Sequence, residues 1–162
     1  MAEALPRGVR LAVDWGSRRI GVAACDRDGA LAYPVATVDA LDPWDRLADL
    51  VTEYEPTAVV VGYPVTLAGT PGLAADRIAG LAAELADRLA ARTGPGVWLV
   101  DERMTTAAAA RQLHAAGRTS KQQRGIVDQQ AAVAILDTVL AAERAGQTIG
   151  SRVEGRGEEE RS

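Results

Sequence analysis

The sequence predicts an α/β fold with a mixed five-stranded sheet, three antiparallel strands followed by two parallel ones, and helices on both faces. Two observations predict it: strand-like segments joined by a hairpin signal open the chain, and short apolar strands then alternate with amphipathic helices. The 162 residues, 48% of them hydrophobic and 25% charged, fit one globular domain with its own core.

The opening meander is read from alternation and turn residues. Residues 8–14 alternate apolar and polar positions, and residues 19–26 are rich in Ile, Val and Ala. Asp28-Gly29 is a strong hairpin signal, after which residues 31–38 form the third strand. These three strands are therefore expected to pair antiparallel.

The rest of the chain alternates helices with buried strands. Asp42 is the expected N-cap of the first helix, and wholly apolar strands of four or five residues are typical of parallel pairing. The predicted helices cover residues 43–54, 73–92, 105–116 and 126–144, and the predicted strands cover residues 58–62 and 97–100. We expect a domain over residues 1–146 and a disordered, charged tail over residues 147–162.

The composition excludes several kinds of chemistry. With Cys25 and His114 as the single cysteine and histidine, the chain cannot build a structural zinc site, and a Ser-His or Cys-His mechanism would have to use His114. No apolar run is long enough to span a membrane, so a cytoplasmic protein without membrane contact is expected. The net charge of −4 opposes nucleic-acid binding in general, yet residues 103–127 contain five basic residues and no acid.

Acidic residues follow two of the predicted strands. Asp14 ends the first strand, and Asp101 and Glu102 end the last. Sites in α/β sheets form beyond the carboxyl ends of parallel strands, so these carboxylates are expected to converge if the two strands are parallel neighbours. The alternative is that each acid only caps a turn.

Asp128 lies on the apolar face of the last helix, one turn before Ala132, whereas Asp137 is on the opposite side and is expected to face solvent. A carboxylate on a sheet-facing surface costs on the order of several kcal/mol of desolvation unless it is paired or coordinated. Asp128 is therefore expected to be a metal ligand, with pairing to an arginine or an N-cap role as the alternatives.

Carboxylates without histidine or cysteine favour hard cations, so Mg²⁺ or Mn²⁺ is the expected cofactor. Two such ions can activate water and stabilise the leaving oxygen of a phosphodiester. Gly16 would allow a phosphate or metal close to the backbone. The expected nucleic-acid contacts are Arg18, Arg19, Arg103, Thr105, Lys121 and Arg124.

Four motifs in order resemble the YqgF/RuvX family. They are Val-Asp14-Trp-Gly16-Ser-Arg-Arg-Ile-Gly21, Val-Val-Gly62-Tyr-Pro, Asp101-Glu102-Arg103-Met-Thr105-Thr, and Arg124-Gly-Ile-Val-Asp128-Gln-Gln. The resemblance implies a ribonuclease H-like fold and an acidic site of Asp14, Glu102 and Asp128, with Asp101 as a neighbour of unassigned role. It also implies a nuclease that processes the 5′ end of pre-16S rRNA, or alternatively a Holliday junction resolvase.

Two other classes of protein were weighed. An actin-like kinase or ATPase closes two domains over its nucleotide, and this chain has room for one and no second Asp-x-Gly. A non-catalytic nucleic-acid-binding module gives no reason to keep Asp128 on an apolar helix face. The expected partner is structured RNA or branched DNA, including a ribosomal precursor, bound by a monomer or a homodimer. Resolving a four-way junction takes two coordinated cuts and thus a symmetric dimer.

Overall fold

The computed structural model describes residues 4–64, 72–92, 94–101 and 121–155, and only the backbone of residues 121–126. The strands are β1 (Arg10–Trp15), β2 (Arg19–Cys25), β3 (Ala32–Asp39), β4 (Ala58–Tyr63), β5 (Gly96–Asp101) and β6 (Gly150–Val153). The helices are α1 (Trp44–Tyr54), α2 (Leu73–Ala90) and α3 (Lys121–Arg144). None of these helices is both long and apolar enough to cross a membrane.

The strands form one mixed sheet in the order β3-β2-β1-β4-β5-β6. β1, β2 and β3 pair antiparallel, as the hairpin signal predicts, and β4 and β5 extend the sheet in parallel from β1. Asp26 stabilises the β2–β3 turn because its Oδ1 accepts hydrogen bonds from the backbone N–H groups of Ala30 and Leu31, both at 2.8 Å. The predicted α/β class is confirmed, with three antiparallel strands followed along the chain by two parallel ones.

The sheet has six strands rather than the predicted five. β6 comes from the segment that was expected to be disordered and pairs antiparallel with β5. Pairing supplies partners for the backbone groups along the outer side of β5, and the Arg152 guanidinium lies 5.8 Å from the ring centre of Trp98. A four-residue strand without apolar alternation gives no signal that sequence periodicity could detect.

Helix boundaries differ from prediction in two places. α1 has Pro43 at its N-cap position and no side-chain cap, so the expected capping by Asp42 does not occur. α3 begins at Lys121, inside a segment that was expected to be a loop. The predicted helix over residues 105–116 lies outside the described residues.

The two faces of the sheet carry different cores. α1 and α2 cover one face with larger side chains, including Leu47, Leu50, Ile78 and Leu85. α3 covers the other, where β1 and β2 present small residues such as Ala12 and Ala23. Small residues let the helix axis approach the sheet closely, and this close approach brings the start of α3 to the candidate site.

Candidate active site

Asp14 lies near the carboxyl end of β1 and is buried, with 3% of its surface exposed. The pleat directs it to the α3 face, because Ala12, two residues before it, packs in the α3 core while Val13 packs in the other. Gly21 is its direct partner on β2. On the other side, Gly62 follows Val61, the β4 partner of Val13. Across the sheet, Asp14 is therefore flanked by a glycine on each neighbouring strand, Gly21 on β2 and Gly62 on β4.

Gly21 connects Asp14 to α3. A Cβ built on Gly21 would overlap the backbone carbonyl of Asp128, so this turn of the helix rests directly on β2. Since Asp14 and Gly21 are cross-strand partners, this contact places Asp128 over the strand next to Asp14. The structure thus brings Asp14 and Asp128 to one end of one sheet face, as the sequence predicted.

Asp128 is paired with an arginine. Arg19 Nε donates to Asp128 Oδ2 at 2.9 Å, and the two side chains are 29% and 16% exposed respectively. This is the alternative that the sequence left open for Asp128, whose role as a metal ligand stays a prediction. Asp137, nine residues further along α3, is exposed as expected.

A second polar link lies one residue further along α3. Gln129 Nε2 donates to the hydroxyl oxygen of Thr37 at 2.9 Å, and Thr37 is the β3 partner of Gly21. The start of α3 is therefore attached to β2 through Arg19 and to β3 through Thr37. Sequence reasoning missed both Gln129 and Thr37, because neither residue carries charge or follows the apolar pattern.

Asp101 lies on the other face of the sheet from Asp14. Val100 packs in the α3 core and Leu99 packs against the α1/α2 core, so strand alternation directs Asp101 toward the α1/α2 side. Asp101 is also the partner of Tyr63 on β4, one position beyond Gly62. Asp101 therefore lies on the α1/α2 face of the sheet, whereas Asp14 lies on the α3 face.

Gly16 has a clear structural role in the β1–β2 turn. Its N–H donates to the Arg19 carbonyl at 3.0 Å, and a Cβ at this position would overlap that same carbonyl. Arg77 from α2 donates to the Gly16 carbonyl at 3.2 Å. The turn thus sets the position of Arg19, and close approach of a phosphate to Gly16 stays a prediction.

The remaining predicted residues fall into two groups. Arg18 is exposed beside a cleft of about 530 Å³ that runs toward β3 and also contains Ser17, Arg19 and Leu41. Lys121 and Arg124 lie in the first turns of α3, where only the backbone is described. Glu102, Arg103 and Thr105 lie outside the described residues. Within the described part of the chain, no three acidic, histidine or cysteine side chains gather into a metal-binding group.

A family model described as "RuvX: Holliday junction resolvase" matches residues 8–142, which is most of the chain. The chain belongs to the RuvX family. A family relative from Cutibacterium acnes is 55% identical over 142 residues, which cover 87% of each chain. Another from Streptomyces coelicolor is 50% identical over 152 residues, covering 91% of this chain and 89% of the relative. Both carry the name "Putative pre-16S rRNA nuclease".

The RuvX chain also shares its fold with solved structures. Thermus thermophilus RuvC, solved in complex with a Holliday junction substrate, superposes with a TM-score of 0.58 over 90% of this chain and all of that one, at 16% identity. A second Thermus thermophilus RuvC structure gives a TM-score of 0.52 at 18% identity. At this identity the likeness establishes the ribonuclease H-like fold and nothing further, so substrate and mechanism must come from the site.

Proposed function

We propose that this protein is a divalent-metal-dependent nuclease that processes the 5′ end of pre-16S rRNA in the cytoplasm. The observation that carries the proposal is the position of the buried Asp14 carboxylate. It lies next to Gly21 of β2, against which the backbone of Asp128 in α3 packs. A carboxylate at the carboxyl end of a central strand lies where sites form in α/β sheets, and its oxygens are donors that hard cations prefer. The names of the two relatives at 50% identity and above support rRNA as the substrate.

The residues present fit Mg²⁺ or Mn²⁺. Asp14 and Asp128 offer carboxylate oxygens, the donors that hard cations prefer, and both residues lie at one end of the same sheet face. Glu102 is the third expected ligand. Asp101 is not proposed as a ligand, because it lies on the other face of the sheet. A bound ion would supply a Lewis acid that polarises the phosphodiester and lowers the pKa of an attacking water.

The chain's own cations would bind and orient the substrate. Arg18 is exposed in the β1–β2 turn, one residue before Arg19, and Lys121 and Arg124 lie in the first turns of the helix that carries Asp128. Contacts from these residues and from Arg103 and Thr105 to phosphates would fix the position of the scissile bond without reading bases. Trp15 is buried in the α1/α2 core, which removes the one aromatic residue of this turn as a base-stacking surface.

A Holliday junction is the second candidate substrate, favoured by the description of the family model that matches this chain. It differs from rRNA processing in requiring two symmetric cuts and hence two copies of the chain. Processing one RNA end requires one site.

The test compares cleavage of labelled pre-16S rRNA and of a synthetic four-way junction, each with Mn²⁺ or EDTA. The wild-type protein is expected to cut the rRNA precursor in Mn²⁺ alone. Asp14→Asn is expected to lose at least about 100-fold of that activity, because its amide is a poor metal ligand of nearly the same shape. Asp137→Asn is the matched control, since Asp137 is an exposed acid on α3. Undiminished cleavage by Asp14→Asn would refute the proposal. If the wild-type protein cut the four-way junction symmetrically and left the rRNA precursor intact, the substrate would be DNA and not rRNA.

A further inference from the structure

The feature that goes beyond the proposed function is the arginine at the acidic site. Asp128 Oδ2 accepts the hydrogen bond from Arg19 Nε, while Oδ1 makes no hydrogen bond to the described part of the chain. One oxygen of Asp128 is thus committed to a guanidinium. Only the other is left to face a cation beside Asp14.

The backbone of Arg19 is held in place by the fold. Arg19 is the first residue of β2, where Asp39 is its cross-strand neighbour on β3. Its backbone carbonyl accepts a hydrogen bond from the Gly16 N–H and so closes the β1–β2 turn. The guanidinium stays charged at every pH at which a protein is folded. A second divalent ion at Asp128 would therefore have to displace Arg19 from Oδ2 or lie against a like charge, which is unfavourable at a partly buried site.

We infer that this site takes one divalent ion per chain and that Arg19 supplies the positive charge that a second ion would otherwise supply. The inference rests on the proposed nuclease function and revises the expectation of two ions. Arg19 is a positioning residue for Asp128. Its Nη1 and Nη2 groups make no hydrogen bond to any described residue and its side chain is 29% exposed, so they can donate to a substrate phosphate.

The experiment counts bound Mn²⁺ on the full chain by electron paramagnetic resonance and calorimetry. Measurements are made with Mn²⁺ alone and with a saturating cleavage-resistant 2′-O-methyl RNA. The wild-type protein is expected to bind one Mn²⁺ in both conditions. Arg19→Gln is expected to bind a second Mn²⁺, seen as Mn–Mn dipolar broadening, or to bind its one ion at least about tenfold more tightly once the like charge is gone.

Two variants separate charge from fold. Arg19→Lys keeps the charge and is expected to retain a stoichiometry of one. Arg27→Gln removes the same charge from the exposed β2–β3 turn and is expected to bind Mn²⁺ as the wild type does. A merely structural ion pair would alter the melting temperature of Arg19→Gln without altering the number or affinity of bound ions.

The outcomes distinguish this inference from the function on which it rests. Two Mn²⁺ ions per wild-type chain would overturn the role of Arg19 and leave the nuclease intact, even if Arg19→Gln did not fold. Unchanged Mn²⁺ number and affinity in a folded Arg19→Gln would overturn it as well. Absence of Mn²⁺ binding by the wild type, with cleavage continuing in EDTA, would overturn both.

Discussion

Gly21→Ala tests the contact on which the candidate site depends. The added methyl group would overlap the Asp128 carbonyl, a backbone atom that cannot rotate away, so α3 must move off β2 by roughly 1 Å or more to restore van der Waals separation. Overpacking of this kind costs about 1–3 kcal/mol. The lower backbone entropy of alanine in the unfolded chain returns about 0.4–1 kcal/mol. The expected net loss of unfolding free energy is therefore between about 0 and 2.6 kcal/mol, with a midpoint near 1.3 kcal/mol.

The effect on cleavage should exceed the effect on stability. A shift of about 1 Å in Asp128 relative to Asp14 is enough to cost roughly 100-fold in rate, although neither acid is changed. Stability is measured by urea denaturation and activity by single-turnover cleavage of the rRNA precursor. Gly72→Ala is the matched control, because a Cβ at Gly72 meets no atom within 4 Å. Full activity with unchanged stability in Gly21→Ala would refute the close approach of α3 to β2 and the placement of Asp128.

Two further predictions concern charges away from the site. Glu143→Ala should lower the unfolding free energy by about 3 kcal/mol, because Arg10 is 2% exposed and donates to both Glu143 oxygens at 2.7 and 3.0 Å. The control is Glu84→Ala, which removes the exposed partner of Arg88 one helical turn away and should cost under about 0.5 kcal/mol. Equal losses in the two variants would contradict the importance of burial for the Arg10–Glu143 pair. Backbone N–H donors of the β2–β3 turn, first that of Leu31, hold the pKa of the Asp26 carboxyl below its ordinary value of 3.8. The stabilisation from Asp26 is then present above that value and lost as the pH falls through the lower folded-state pKa, so the stability difference between wild type and Asp26→Asn should shrink in acid denaturation series and should not grow.

Local sequence signals were sufficient for β1 to β5, for α1 and α2, for most of α3 and for the faces that these elements bury. The Asp28-Gly29 turn, the apolar strands and the spacing of α2 and α3 each depend on residues close in the chain, and the structure confirms them. The same periodicity placed Asp128 on the apolar face of α3 and Asp137 in solvent. β6 was missed because its four residues form a strand only through pairing with β5, which lies fifty or more positions earlier in the sequence.

The partner of Asp128 could not be predicted because it depends on register rather than on residue type. Arg18 and Arg19 are adjacent, equally charged and both plausible phosphate ligands by sequence, yet strand alternation places only Arg19 on the α3 face, with Gly21 and Ala23. The choice between them is made by where β2 begins, which the Gly16 turn fixes. The same alternation separates Asp101 from Asp14, since Val100 shares the α3 face and Asp101 does not. The sequence identifies the charged residues, and the alternation of side chains along β2 and β5 determines which of them lie on the same face of the sheet as Asp14.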